Sequence, residues 1–170
     1  MNQLPIPTIL VVDDIPHNIT VLSSILRDLY RVILATNGQE ALEVVLEHNV
    51  DLILLDVMMP EMDGFEVCRR LKSNILTREI PVIFITALGD VDDETKGLEL
   101  GAADFLQKPT HPAIVRMRVQ MHLERANQKL ALEHLVQERT EELSNTRIEI
   151  IRRLGRAAEY RDNETGMHVI

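Results

Sequence analysis

The segment LILLDVMMPEMDGFEV, residues 52–67, limits what this chain can fold into more than any other feature. An apolar run ends on a single acidic residue, Asp56, and a turn containing proline and glycine follows it. Such a short apolar run bounded by turn residues is typical of a β-strand that is buried on both faces of a parallel sheet. Because ligands bind outside the carboxyl ends of such strands, Asp56 is a candidate functional residue.

Up to about residue 110, short apolar runs alternate with amphipathic segments, a pattern that predicts strands and helices in turn. The predicted strands are Thr8–Val12, Tyr30–Ala35, Asp51–Leu55, Pro81–Ile85 and Asp104–Gln107. The predicted helices are Pro16–Asp28, Gln39–His48, Gly64–Lys72 and Asp92–Leu100. This alternation predicts right-handed βαβ crossovers, and therefore an α/β fold with a doubly wound, five-stranded parallel sheet.

Length, charge and cysteine content narrow the class of protein. The 170 residues suffice for one packed domain and a modest extension. A net charge of −9 without a basic stripe argues against a nucleic-acid partner. The single cysteine, Cys68, cannot form an internal disulfide, which favours a reducing compartment. Since no apolar run has the length of a membrane span or a signal peptide, we expect a soluble, cytoplasmic protein without membrane contact.

The pattern changes after Pro112, because no glycine or proline occurs from Ala113 to Leu154. Apolar residues recur there at intervals of seven, as in a coiled-coil seam: Leu123 and Leu130, then Val136, Leu143 and Ile150. The seam is imperfect, since Arg139, Thr146 and Arg153 occupy the positions three residues further on. We predict a long helix through which the chain forms a homodimer. A helix that folds back on the globular part, or frays, is the alternative.

Five polar residues follow the ends of the predicted strands: Asp13, Asp14, Asp56, Thr86 and Lys108. In a doubly wound sheet their strands are neighbours, so we expect the five side chains to meet at one edge. Three crowded carboxylates repel each other unless a cation is present, and hard oxygen ligands suit Mg²⁺. A carboxylate beside such a metal can act as a nucleophile in phosphoryl transfer, while an ammonium group and a hydroxyl bind the phosphoryl oxygens.

Several residues of these motifs also have a simpler interpretation when each is taken alone. Asp14, just ahead of a proline, could cap a helix. Lys108 could be a solvated surface lysine and Thr86 a turn hydroxyl, while Met58 and Met59 could fill the core. Their common position at successive strand ends favours a shared site instead.

The motifs VVDD, LLDVMMPEMDG, ITA and KP, each at the end of a successive strand, resemble those of the receiver domain of two-component response regulators. The resemblance covers about residues 6–122 and implies a flavodoxin-like fold. It also implies that Asp56 accepts a phosphoryl group from a sensor histidine kinase. Asp14, Asp56 and the backbone carbonyl of Met58 are then expected to bind Mg²⁺ directly, and Asp13 mainly through water.

The same resemblance implies a switch. Lys108 is expected to pair with the phosphoryl oxygens, and its peptide bond to Pro109 is expected to be cis. Thr86 is expected to move toward the phosphoryl group, and the ring of Phe105 to rotate inward in response. Apolar side chains, Met58 and Leu88, stand two residues beyond Asp56 and Thr86, where the family places the path of the attacking water. Because neither can orient water, we predict slow loss of phosphate.

The last residues, 157–168, read AAEYRDNETGMH and resemble the opening of the HD-GYP domain, a metal-dependent phosphohydrolase that cleaves cyclic di-GMP. Glu164 and His168 lie four residues apart, so one helical turn would place both on one face as ligands of one metal. A solvated Glu–His pair is the commoner explanation of this spacing. The likeness stops before the His-Asp and Gly-Tyr-Pro signatures, so we expect no phosphohydrolase activity from these residues alone.

Together these observations predict three parts: a receiver domain over residues 1–122, a helical linker over 123–155, and the truncated start of an output domain over 156–170. The predicted function is a phosphorylation-dependent switch that signals through the long helix to a missing output domain. The full-length parent would be a metal-dependent phosphohydrolase. The alternative is a phosphate-independent protein-interaction or dimerisation module.

Overall fold

The protein is described by a computed structural model, which gives the backbone of residues 5–87 and 91–166 and the side chains of residues 5–87 and 94–158. The chain divides into two compact units, Met1–Ala126 and Asn127–Ile170, here called the receiver unit and the helical unit. The strands are β1 Thr8–Val12, β2 Arg31–Ala35, β3 Leu52–Asp56, β4 Val82–Thr86 and β5 Asp104–Gln107. The helices are α1 Pro16–Leu26, α2 Gly38–Glu47, α3 Gly64–Ser73, α4 Val91–Glu99 and α5 Pro112–Gly166.

The five strands form one parallel sheet in the order β2-β1-β3-β4-β5. The first strand therefore lies inside the sheet, and β2 lies beside it at one edge. The other three strands follow in order on the opposite side of β1. This order confirms the predicted doubly wound α/β fold. It also places β1 beside β3 at the point where the winding direction reverses, which is where such sheets bind ligands.

Both faces of the sheet are covered by helices. Successive strand residues point to opposite sides, so each strand contributes apolar side chains to both faces. On one face, side chains such as Leu10, Ile53 and Phe84 pack against α2 and α3. On the other face, side chains such as Ile9, Leu54 and Ile85 pack against α1 and the first part of α5. Burial on both sides explains why the strands read as continuous apolar runs rather than as alternating patterns.

Local sequence signals set most helix starts. The side chains of Asn37 and Asp63 accept hydrogen bonds from the backbone N–H groups of Glu40 and Glu66, and so cap α2 and α3. The bounds of β1 and β5 are as predicted, and those of the other strands and of α1 to α4 differ from the predicted ones by one or two residues. For example, α1 ends at Leu26 rather than at Asp28, as expected for helix ends that carry no strong stop signal.

The helical unit contains the second part of α5. Every side chain described there, from Asn127 to Ala158, is exposed to solvent. Its large apolar side chains include Leu143, which is 71% exposed, and Ile148, which is 45% exposed. Among the described residues, no helix combines the length and the apolar character needed to cross a membrane.

Candidate functional site

Three carboxylates meet at the carboxyl edge of the sheet, as the strand pattern predicts. Asp13 directly follows β1, Asp14 comes next, and Asp56 is the last residue of β3. Val12 lies opposite Leu55 in the paired strands, so the residues that follow them leave the sheet side by side. One oxygen atom from each of Asp13, Asp14 and Asp56 lies within 4.8 Å of the others. Asp13 and Asp56 are almost fully buried, with exposed fractions of 1% and 4%.

Lys108 supplies the positive charge of this site from the loop after β5. Its Nζ lies 2.7 Å from Oδ2 of Asp13 and 3.2 Å from Oδ1 of Asp56. Its backbone N–H donates to the carbonyl of Thr86, at 2.8 Å, which ties this loop to the end of β4. The Lys108–Pro109 peptide bond is cis, as predicted. Lys108 is therefore not the solvated surface lysine that its sequence position alone would allow.

Asp13 is held in place by the start of α1. Its Oδ1 accepts hydrogen bonds from the backbone N–H of Ile15, at 2.9 Å, and from Nδ2 of Asn18, at 3.0 Å. Since Oδ2 bonds to Lys108, both oxygens of this buried carboxylate have partners. Asn18 was missed in the sequence analysis. An amide in the first turn of a helix that directly follows two strand-end acids is the signal that could have identified it.

Asp14 does not cap α1, because the N-cap residue of that helix is Ile15. The alternative role as a helix cap is therefore wrong. Oδ1 of Asp14 is buried and has no hydrogen-bond partner within the part of the chain that the structure describes. A buried carboxylate oxygen without a donor is costly, so this atom marks a position where a cation or a water molecule would be stabilised.

The electrostatic environment of Asp56 has opposing contributions. Burial raises the pKa of the Asp56 carboxyl above its ordinary value, and the nearby charges of Asp13 and Asp14 raise it further. The ammonium group of Lys108 acts in the opposite direction but does not cancel these effects. An ionised Asp56 is thus stabilised by added positive charge at this edge, which is the property expected of a site that binds a cation.

The loop between β3 and α3 closes tightly over the end of β3. The backbone N–H of Gly64 donates to the carbonyl of Val57, at 2.9 Å. A Cβ atom on residue 64 would lie 2.2 Å from the backbone oxygen of Asp56, so only glycine fits there. The two methionines of this loop differ, since Met59 is buried at 7% exposure and Met58 is 61% exposed. The interpretation of both as core residues is therefore wrong for Met58.

The two predicted switch residues lie on neighbouring strands. Thr86 ends β4 and is fully buried, which excludes the simpler interpretation as an exposed turn hydroxyl. The ring of Phe105 on β5 packs against Phe84, with 5.2 Å between ring centroids. A Cβ atom on Gly97 of α4 would lie 2.6 Å from the Phe105 ring, so this helix approaches the ring closely only because residue 97 is glycine.

A second charged cluster links β5 to α5 next to Phe105. Asp104 Oδ2 lies 3.0 Å from Nη1 of Arg118 and 2.9 Å from Nε2 of His122, which is buried. Asp104 Oδ1 accepts a hydrogen bond from the backbone N–H of Phe105, at 2.8 Å. Burial raises the pKa of Asp104, but the hydrogen bonds from His122 and Phe105 and the charge of Arg118 outweigh it, so this pKa is lowered overall.

Some predicted site residues lie outside what the structure describes. The side chain of Glu164 and all of His168 and Leu88 are in this group. Their predicted roles, and that of the Met58 carbonyl as a metal ligand, remain predictions.

Comparison with known proteins identifies the family. A sequence profile described as the response regulator receiver domain matches residues 9–120. The chain belongs to this family. The recognition made from the strand-end motifs is confirmed, and the carboxylate edge described above is the acidic pocket of a receiver domain.

Relatives of this receiver domain occur in larger proteins. A Vibrio cholerae protein named "Probable cyclic di-GMP phosphodiesterase" is 41% identical over 177 residues, which cover 100% of this chain and 40% of that protein. Response regulator PleD of Caulobacter vibrioides is 50% identical over 112 residues, which cover 65% of this chain and 25% of PleD. The chain thus spans less than half the length of either relative.

Solved structures show the same receiver fold. The BeF3-activated receiver domain of DrrB is 36% identical, with a TM-score of 0.65, and the match covers 71% of this chain and 99% of that domain. Chemotaxis protein CheY4 of Vibrio cholerae is 29% identical, with a TM-score of 0.66, and the match covers 69% of this chain and 98% of CheY4.

Proposed function

We propose that Asp56 accepts a phosphoryl group from a sensor histidine kinase and that this modification switches the receiver domain between two states. The observation that carries this proposal is the placement of Asp56, which is buried beside two other aspartates and 3.2 Å from the ammonium group of Lys108. A purely structural ion pair would need one carboxylate. Three carboxylates meet at this edge, and the one ammonium group of Lys108 pairs with two of them, so an excess of negative charge remains that calls for a further cation.

The residues at this edge fit Mg²⁺. Three carboxylates provide hard oxygen ligands on one side, and one of these ligand atoms, the buried Oδ1 of Asp14, has no hydrogen-bond partner among the described residues. We propose that Asp14, Asp56 and the backbone carbonyl of Met58 hold the ion, with Asp13 acting mainly through water. When bound, Mg²⁺ offsets the negative charge of the incoming phosphoryl oxygens.

The transfer itself needs little from the protein beyond positioning and charge. A carboxylate oxygen of Asp56 forms a bond to phosphorus, while the bond from phosphorus to the histidine nitrogen of the kinase breaks and leaves its electron pair on that nitrogen. Lys108 lies close enough to Asp56 to bind a phosphoryl oxygen on the product. In this proposal the hydroxyl of Thr86, at the end of the neighbouring strand, binds another.

The test is the intact mass of the protein after incubation with acetyl phosphate and Mg²⁺. We expect an added mass of one phosphoryl group, which is lost in Asp56→Asn and in a metal-free sample. Asp28→Asn is the matched control, because Asp28 is an exposed aspartate of the same unit and its replacement should leave the adduct unchanged. A folded protein that gains no mass, even at short times, would favour the phosphate-independent interaction module instead.

We further propose that the switch reaches α5 through β5. Phe105 lies next to Asp104, and Asp104 binds both Arg118 and His122 of α5. A change in the position of the Phe105 ring therefore acts on a residue that is directly bonded to the helix, and α5 continues into the helical unit. In this proposal the helical unit carries the signal of a cytoplasmic homodimer to its output domain.

The proposed output is a cyclic di-GMP phosphodiesterase of the HD-GYP type. Support comes from the Vibrio cholerae relative, whose name states that activity and whose match extends over the whole of this chain. Glu164 and His168 would then contribute ligands to its metal centre. The test is hydrolysis of cyclic di-GMP by the full-length parent, together with its metal content after Glu164→Gln. We expect lower metal content and activity in the variant, and unchanged values in both would exclude this role.

A further inference from the structure

The three phenylalanines of this chain lie in one row inside the receiver unit. The rings of Phe65 and Phe84 meet edge to face, with 5.3 Å between their centroids and 63° between their planes. The rings of Phe84 and Phe105 are tilted by 48°, with their centroids 5.2 Å apart. We call these three side chains the ring row. It runs from the start of α3, across β4, to β5, and its central ring is fully buried.

Helix α4 contacts all three rings through two adjacent residues. A Cβ atom on Gly97 would lie 2.6 Å from the Phe105 ring and 3.1 Å from the Phe84 ring, so the helix backbone lies against both. One residue earlier, Nζ of Lys96 lies over the face of the Phe65 ring, 4.3 Å from its centroid. An ammonium group in this position is attracted by the negative face of the ring. Lys96 thus binds an exposed part of α4 to a ring that is itself buried.

The Phe65 end of the ring row is bonded to the loop that follows Asp56. Phe65 comes directly after Gly64, whose backbone N–H donates to the carbonyl of Val57 at 2.9 Å. A Cβ atom on residue 64 would lie 2.2 Å from the backbone oxygen of Asp56, so the start of α3 lies directly against the end of β3. A shift of the backbone at Asp56 therefore acts on the residue next to Phe65.

Close packing couples the ring row to α4. Protein interiors are packed as densely as crystals of small molecules and transmit strain, so a buried ring that moves displaces its neighbours. Phe84 has a ring on each side and the backbone of Gly97 against it. A displacement at one end of the row is therefore passed on through Phe84 and also acts on α4. This route differs from the one through Thr86, because it leaves Asp56 by way of the start of α3.

We propose that Lys96 is a positioning residue of the switch, which holds α4 on the ring row in the resting state and releases it when Asp56 is phosphorylated. The inference rests on the proposed function and adds to it a second route from Asp56 to Phe105, through Phe65 and Phe84. At an exposed site, an ammonium group over an aromatic ring shifts an equilibrium about 2- to 5-fold. Loss of the charge of Lys96 should therefore favour the switched state by about 2- to 5-fold.

The resting state is tested by NMR of the full chain with ¹³C at Cζ of phenylalanine, which gives one resonance for each of the three rings. We expect Lys96→Met, at an exposed position, to shift all three resonances, and Lys96→Arg, which keeps the cation, to stay close to the wild type. Lys129→Met is the matched control, because it removes the same charge from an exposed lysine of the helical unit and should shift none. No shift in Lys96→Met, a shift of the Phe65 signal alone, or an equal shift in Lys96→Arg would overturn the coupling.

The switched state is tested on the same labelled chain after incubation with acetyl phosphate and Mg²⁺, with the adduct confirmed by intact mass. We expect the three resonances to shift together, and Lys96→Met to raise the ratio of switched to resting signal about 2- to 5-fold at equal adduct. An adduct that shifts only the Phe105 signal, or an equal ratio in Lys96→Met and Lys129→Met, would overturn the inference and leave the proposed function standing. Absence of the adduct in folded protein would overturn the proposed function and with it the response to phosphate, while the resting-state comparison decides the coupling by itself.

Discussion

The two units of this chain use the same kinds of residue in opposite ways. In the receiver unit, apolar side chains are buried on both faces of a sheet, and three carboxylates are gathered at its edge. In the helical unit, every described side chain is exposed, including leucines and isoleucines. The receiver unit therefore buries its own apolar surface, whereas the apolar side chains described in the helical unit stay open to a partner such as the second copy in the proposed homodimer.

The two units also differ in their ion pairs, because the receiver unit has long-range pairs in addition to local ones such as Glu66 with Arg69. Lys108 and Asp13 are separated by 95 residues in sequence and meet only because the sheet brings their strands together. Pairs in the helical unit, such as Glu149 with Arg153, join residues within one turn of helix. A local pair of this kind forms in any helix of that sequence and adds little stability, while the long-range pair depends on the complete fold.

The same substitution in the two units gives the sharpest test of this difference. Leu54 is 1% exposed within the sheet, so Leu54→Ala should lower the free energy of unfolding of the receiver unit by about 2–5 kcal/mol. Leu143→Ala, at a position that is 71% exposed in the single chain, should change that free energy by less than about 0.5 kcal/mol. Hydrogen exchange of β3 and β4 peptides during urea titration measures both.

Leu143→Ala should instead weaken self-association, which sedimentation measures on the same samples. If both leucine variants lowered the free energy of unfolding of the receiver unit by a similar amount, Leu143 would have a partner within its own chain. That result would contradict the contrast drawn between the two units. Equal sedimentation of wild type and Leu143→Ala would remove Leu143 from the dimer seam.

Two glycines extend the comparison to the backbone. A Cβ atom on residue 64 would lie 2.2 Å from the backbone oxygen of Asp56, so Gly64→Ala should destabilise the receiver unit by about 1–3 kcal/mol. A Cβ atom on Gly155 would meet nothing within 4 Å, so Gly155→Ala should stabilise its helix by about 0.5–1 kcal/mol. Circular dichroism measures both effects. Urea unfolding of the receiver unit should show the loss of stability, and thermal unfolding of the helical unit should show the gain.

These glycines also show how far the sequence could predict the structure. The gathering of Asp13, Asp56 and Lys108 was predictable, because the alternation of strands and helices alone places the ends of parallel strands at one edge. The need for glycine at residue 64 was not, since it arises from the path of a loop over the backbone of Asp56. Loop paths depend on several weak preferences at once and leave no periodic signal.

Side-chain packing between elements that are distant in sequence could not be predicted from the sequence either. Adjacent methionines, Met58 and Met59, have the same chemistry, yet one is exposed and the other buried, because the turn after β3 directs them differently. The contact of Gly97 with the ring of Phe105 joins α4 to β5 and has no trace in local sequence. By contrast, the long helix was predictable from the absence of glycine and proline between Ala113 and Leu154.

Buried and exposed carboxylates should differ in how the stability of the protein depends on pH. Burial raises the pKa of Asp56, so its ionised form is disfavoured in the folded receiver unit. The stability that the neutral carboxyl provides is present at low pH and is lost as the pH rises from the ordinary range of aspartate through this raised value. Asp56→Asn should therefore match the wild type at low pH and exceed its free energy of unfolding by about 1 kcal/mol at neutral pH without Mg²⁺.

Added Mg²⁺ should narrow this difference, because it stabilises the ionised carboxylate of the wild type and not the amide. Glu149→Gln is the control from the helical unit, where an exposed pair with Arg153 predicts a change of less than about 0.5 kcal/mol and no response to Mg²⁺. Urea titrations of the three proteins across pH, with and without the metal, measure both effects. Asp56→Asn could instead be less stable than the wild type at neutral pH without Mg²⁺. The hydrogen bonds of the three carboxylates would then outweigh their mutual repulsion. In that case repulsion would not explain why this edge binds a cation.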